Sequence, residues 1–152
     1  MMPFYQAAAE RRPQDTEQEP DDALSRLFTR ADRQLLMDLC LLSADAGNER
    51  TVDALAAGLK CLRPRNIGPV VARAKARINA RRPEAAVELM RAAPPGVDEE
   101  ERCLGEAVLA MALEAAGRAH EAQWVAQRVA AQPEGWLARA MLDGQRGRGA
   151  AA

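Results

Sequence analysis

The chain contains few aromatic residues, one histidine and two lysines. Aromatic residues make up 3% of the 152 residues while hydrophobic residues make up 48%, so the core must be built from aliphatic side chains. Thirty-three residues are alanine, and Val and Ile seldom occur together. This composition favours close-packed helices over a pleated sheet. We therefore predict an all-α fold in a single domain, which suits a chain of this length.

Long hydrophobic runs and paired cysteines are also missing. No stretch approaches eighteen apolar residues, and the N-terminal sequence becomes charged too early for a secretory signal. Cys40, Cys61 and Cys103 are widely spaced and form no Cys-x-x-Cys motif. These features favour a reduced, cytoplasmic protein. The use of nineteen arginines and two lysines, together with abundant alanine, is typical of a GC-rich bacterial gene.

The inventory of chemically active residues predicts no enzyme, no cofactor and no metal site. His120 is the single histidine and lies at the predicted start of a helix, where a solvated position is expected. Gly144, Gly147 and Gly149 follow a predicted helix, whereas a phosphate-binding glycine loop precedes one. The acidic run Asp98 to Glu101 is placed to complement a helix dipole.

The formal net charge is -1, but one segment is strongly basic. Residues 63–82 include no acidic residue and carry seven basic ones: Arg63, Arg65, Arg73, Lys75, Arg77, Arg81 and Arg82. Nucleic-acid binding is disfavoured because no aromatic side chains are interleaved for base stacking. A solvated helix face remains open, as does attraction of an acidic partner or of the chain's own acidic residues 15–22.

Three regions follow from composition. Residues 1–20 contain three prolines and an acidic run, and are predicted to be a flexible arm whose removal hardly changes thermal stability. Residues 21–143 are predicted to be helical, beginning with a short amphipathic helix that carries Leu24, Leu27 and Phe28 on one face. Residues 144–152 are predicted to be a disordered tail.

A six-residue phrase recurs between helical segments. Its starts are Gly47, Arg81 and Gly117, which are 34 and then 36 residues apart. A segment with apolar residues at helical spacing precedes each phrase, at 35–46, 67–80 and 103–116. Another such segment follows each phrase, at 51–62, 85–93 and 121–131. The period therefore predicts three helical hairpins.

The three hairpins resemble the tetratricopeptide repeat, which has a small residue between its helices and a proline after the second helix. Gly47, Val52 and Pro64 match in the first hairpin, and Gly117 and Ala122 match in the third. The resemblance implies a short solenoid with Leu39 in the core between helices. Strict phasing would bury Arg73 and Arg77, so we expect a one-residue slip that leaves both outside.

A C-terminal capping helix is also predicted, since the end of a solenoid otherwise exposes apolar surface. Its apolar residues are Trp136, Leu137, Ala140 and Met141.

In such repeats the first helix of each hairpin lines a concave groove that binds peptides. Transferring its inward positions residue by residue gives a predicted groove set, many of whose members are apolar and would also suit a core. The groove set consists of Gln34, Met37, Leu41, Asp45, Val71, Lys75, Asn79, Leu104, Ala107, Met111 and Glu114.

More narrowly, the phrase ALAAGLKCLRP at 54–64, followed by RNIGPVVARAKARI at 65–78, looks like the junction of the first two repeats in small cytoplasmic chaperones of bacterial type III secretion. That resemblance implies a groove that holds an amphipathic helix of a secreted needle, tip or translocator subunit and keeps it soluble before export. It also implies a co-chaperone or homodimer contact through the N-terminal helix. The alternatives are an adaptor that joins protein partners and, more distantly, an RNA- or DNA-binding protein.

Overall fold

The structure, a computed structural model, describes residues 26–63, 65–135 and 138–143. It contains α-helices, one 3-10 turn at Pro133–Gly135 and a helical segment at 138–143, and no strand among the residues described. The all-α prediction is thus confirmed for this part. Leu24, Trp136 and Leu137, the arm 1–20 and the tail 144–152 lie outside the described residues. The helices are α1 (Arg30–Asp45), α2 (Glu49–Leu62), α3 (Gly68–Asn79), α4 (Pro83–Ala92), α5 (Glu99–Ala115) and α6 (Ala119–Ala130).

Side-chain caps set the starts of the long helices. At α1 the Thr29 hydroxyl accepts from the Asp32 N–H at 3.1 Å, and the Asp32 carboxylate accepts from the Thr29 N–H at 2.7 Å. The hydrogen bonds from the Thr29 side chain and backbone lower the pKa of Asp32. Because this capping box precedes the apolar pattern, α1 begins five residues before the predicted Leu35. At α5 the Asp98 carboxylate accepts from the Glu101 N–H at 2.8 Å, so the acidic run does lie at a helix start.

The three turns within the helix pairs share one conformation. Gly47, Arg81 and Gly117, the first residues of the recurring phrase, have φ angles of 68°, 64° and 76°. In each turn the next residue donates its N–H to the carbonyl five residues back, at 2.9, 2.8 and 2.8 Å. This is the Schellman arrangement, in which a left-handed residue ends the helix and satisfies its last carbonyls. The sequence period therefore corresponds to a repeated structural turn.

Consecutive helices pack in pairs and the pairs pack in order. α1 contacts α2, α3 contacts α4, and α5 contacts α6. Between pairs, α3 contacts both α1 and α2, and α5 contacts α4 and, less extensively, α3. Among the described elements, α2, α4 and α6 share no interface of comparable extent with one another. As a result, α1, α3 and α5 lie side by side.

Helix α3 separates two hydrophobic cores and contributes to both. Its Ala72 and Ala76 join buried residues of α1 and α2, while its Val71 and Ala74 join those of α4, α5 and α6. Small side chains on both faces let neighbouring helices approach α3 closely. No aromatic residue is among the largest fully buried side chains of the described chain, so the core is aliphatic as predicted.

The prediction for Leu39 is wrong. Its side chain is 44% exposed, and Leu35 and Leu42 on the same face of α1 are 59% and 65% exposed. These residues, spaced four and three apart, form the outer stripe of α1. No described residue covers them, because α1 is the first of the described helices in the stack and α2 and α3 pack on its other sides. Arg73 and Arg77 lie outside both cores, as expected.

None of the helices within the described residues combines the length and apolar character needed to cross a membrane.

Candidate partner-binding site

The predicted groove set falls on α1, α3 and α5, the three helices that lie side by side. Three of its apolar members, Met37, Leu41 and Leu104, are half-buried: they pack against the cores and still present surface to solvent. Met37 lies against Gly68, where a Cβ atom would come within 3.2 Å of the Met37 Sδ. The exposed side of α1, α3 and α5 around these residues is called the A face below.

Other members of the set are polar and tie the first two pairs together. The Lys75 Nζ lies 2.5 Å from the Asp45 carboxylate, and the Asn79 amide donates to the Ala44 carbonyl at 2.8 Å. The Gln34 amide donates to Asp38 at 2.9 Å, within α1. These groups are exposed or half-buried, so a partner could still meet them at the edge of the A face.

Val71, Ala107 and Met111 lie in the core and leave a partner little to contact. Their exposed fractions are 5%, 0% and 7%. They are covered because α3 and α5 are packed by neighbours on several sides, and small alanines bring those neighbours close. Glu114 is exposed near the end of α5. The A face therefore includes fewer residues than the predicted groove set.

One end of the A face opens into a pocket of about 160 Å³ rimmed by three arginines. It lies where the start of α1, the end of α2 and the start of α3 meet, and it is called the arginine pocket. Its lining contains no acidic residue. The lining residues are Arg30, Arg33, Gln34, Met37, Leu59, Leu62, Arg63, Asn66 and Pro69.

Sequence reasoning found Gln34 and Met37 but missed the arginine pocket. Arg30, Arg33 and Met37 recur at helical spacing, which would have extended the predicted face by one turn toward the N-terminus. Arg63 could not be found this way, because it reaches the pocket from the end of α2, thirty residues further along the chain.

Three of the seven basic residues in the segment 63–82 pair with carboxylates of the first helix pair. Arg73 pairs with Asp53 at 2.7 Å, Arg82 pairs with Glu49 at 2.8 Å, and Lys75 pairs with Asp45 as described above. These ion pairs join α3 and its following turn to α1 and α2.

The described residues hold no group of three or more His, Cys, Asp or Glu side chains placed to bind a metal ion. His120 is exposed at the start of α6. Cys40 and Cys103 are buried and Cys61 is exposed. Burial, and secondarily the nearby Asp53 charge, raise the pKa of the Cys40 thiol, so it stays protonated near neutral pH.

The chain matches no known family model, no curated protein and no solved structure.

Proposed function

We propose that the protein is a binding protein whose A face holds an amphipathic helix of a partner. The observation that carries this proposal is a set of three half-buried apolar residues on first helices of the pairs: Met37 and Leu41 on α1, and Leu104 on α5, with α3 packed between these two helices. An amphipathic helix docks by placing its apolar stripe on such a surface, and a methionine adapts to more than one partner side chain.

The proposed architecture is a short solenoid of tetratricopeptide type. Three helix pairs with the same Schellman turn, with their first helices adjacent and their second helices apart, support it. In such a stack the first helices form the inner, concave layer.

The proposed biological role is that of a cytoplasmic chaperone for a secreted subunit of a type III secretion system, namely a needle, tip or translocator protein. The resemblance of residues 54–78 to such chaperones supports this role. Holding the client's apolar stripe on the A face would keep that stripe from self-association before export.

Co-expression with a candidate client tests the role. Met37→Glu should leave the free protein folded and abolish client capture, because the carboxylate must lose its water against an apolar helix, at a cost of several kcal/mol. Leu42→Glu is the matched control, since it introduces the same charge on α1 outside the A face. A folded Met37→Glu variant that solubilises and copurifies the client as well as the parent would reject the A face as the binding site.

An adaptor that joins two partners is the second candidate. It is favoured by the outer stripe of α1, a second apolar surface that no described residue covers. An adaptor should lose one partner with Met37→Glu and a different one with Leu39→Glu. A chaperone with a single client should lose nothing with the second variant.

A further inference from the structure

The arginine pocket carries positive charge that the described part of the chain neutralises only in part. Among the described residues Arg30 and Arg63 have no ion-pair partner, while Arg33 donates to the Phe28 carbonyl at 3.3 Å and its charge helps to lower the pKa of Asp32. The first turn of α3, which borders the pocket, has no acidic residue. Since Arg30 is also the first residue of α1, its charge faces the positive end of a helix dipole. An anionic group in the pocket would interact favourably with these positive charges.

Apart from the arginines, Gln34 and Asn66, the pocket is lined by apolar residues. Met37, Leu59, Leu62 and Pro69 line it below the arginines. The combination suits a peptide that supplies several carboxylates with a short apolar side chain nearby, because carboxylates form charge-assisted hydrogen bonds with guanidinium groups.

The chain itself carries such a peptide, a few residues before the pocket in sequence. Residues 15–22 read DTEQEPDD, with five acidic residues in eight and no basic one, and Ala23 and Leu24 follow. Asp22 is eight residues before Arg30. An extended chain spans about 3.3 Å per residue, so the acidic segment reaches the pocket without strain. Tethering gives it an effective concentration on the order of millimolar, which fills even a weak site.

We propose that residues 15–22 occupy the arginine pocket as an intramolecular ligand. Their carboxylates pair with Arg30, Arg33 and Arg63. Because Gln34 and Met37 belong both to this pocket and to the A face, the bound segment covers one end of the A face. The contact is mainly electrostatic, so it contributes little to thermal stability and weakens as salt screens it.

A paramagnetic label on the full chain tests the contact. Gln18→Cys in a Cys61→Ser background carries a nitroxide, while Cys40 and Cys103 are buried. At 50 mM NaCl the label should broaden the amide signals of Asn66 and Gly68, and 500 mM NaCl should restore most of their intensity. Arg63→Glu should remove most of the broadening. Arg50→Glu, on an exposed arginine outside the pocket, should retain it.

Equal broadening in the two variants would reflect only the tether and would overturn the proposal, as would an absence of broadening in the parent chain. A second measurement adds a synthetic peptide of residues 14–25 to a full-chain variant in which the five carboxylates of residues 15–22 are changed to amides. Arg63→Glu should weaken its binding at least about tenfold. A pocket that binds polyglutamate but not this peptide would belong to an external acidic partner, and the assignment of residues 15–22 as its ligand would be wrong.

Discussion

The two ends of the helix stack differ in how far the described residues cover them. At the C-terminal end the chain folds back after α6: the 3-10 turn packs on α5 and α6, and Ala138 and Leu142 are buried in the larger core. The Arg139 guanidinium donates to the Gln132 carbonyl at 2.7 Å and to the Ala130 carbonyl at 3.4 Å, at the end of α6. At the N-terminal end, the outer stripe of α1 is left open by the described residues.

The contrast shows that an apolar helical pattern does not by itself decide burial. Leu39 and Leu113 both lie in strongly apolar helices, yet Leu39 is 44% and Leu113 is 1% exposed. The difference is the presence of a neighbouring helix on that side. An apolar stripe on an end helix is therefore available to contact a partner, and mutations at the two ends should have different effects on stability.

The largest expected effect comes from comparing these two leucines. Leu113→Ala should lower the free energy of unfolding by about 3 kcal/mol, because it leaves a cavity in the core. Leu39→Ala should lower it by less than about 1 kcal/mol. Urea denaturation followed by circular dichroism measures both. Similar losses, persisting when the protein is diluted tenfold, would mean that part of the chain covers the outer stripe.

The next largest effect on stability is expected when a glutamate is introduced at each end of the helix stack. Leu142→Glu should lower the free energy of unfolding by about 2 kcal/mol, because Leu142 is only 8% exposed and the carboxylate would be buried without a partner. Leu42→Glu should change it by no more than about 0.5 kcal/mol. Thermal unfolding of the two variants and the parent at one protein concentration measures both changes in stability. An unchanged melting temperature for Leu142→Glu would show that the packing of the helical segment 138–143 on the core contributes no stability.

A smaller effect is expected at the turn between α3 and α4, which lies between the two ends. Arg81 adopts the left-handed conformation that glycine adopts in the other two turns. Arg81→Gly should therefore raise the free energy of unfolding by about 0.5 to 1 kcal/mol. The control is Gly117→Ala, where an added Cβ meets nothing within 4 Å, so that only backbone strain is introduced. It should destabilise by about 1 kcal/mol. A destabilised Arg81→Gly would contradict the assigned turn.

The smallest expected effect is in acid. The pKa of Glu121 is lowered by its hydrogen bond with Arg118 and, further, by Arg91. Its folded-state pKa therefore lies below its unfolded value, so its stabilising contribution is present above about pH 4.3 and is lost as the pH falls through the folded-state pKa. Glu121→Gln should make the free energy of unfolding less pH-dependent below that point. An unchanged acid dependence would show that the pairing is too exposed to matter.

Much of the fold could be predicted because its signals are local. The spacing of Gly47, Arg81 and Gly117 located the three turns, and the proline pair at 94–95 matches the early end of α4 at Ala92. The start of α1 was missed because it depends on the Thr29 and Asp32 cap and not on apolar spacing.

The candidate site was less predictable because burial depends on neighbours. Val71, Ala107 and Met111 were predicted to line the groove, but neighbouring helices bury them in this chain. The arginine pocket needs side chains from the first two helices, which no local pattern brings together. The sequence thus predicted which helices form the site but only some of the residues exposed on its surface.

The most direct test of the central claim uses two adjacent residues on different sides of α1. Leu41 is half-buried at the A face, and Leu42 is 65% exposed on the outer stripe. A photo-crosslinking amino acid is placed at each position in turn, and the chain is irradiated in complex with the client that it solubilises. We expect cross-links to the client from position 41 and few or none from position 42. Efficient cross-linking from position 42 with none from position 41 would contradict binding at the A face and assign the client to the outer stripe.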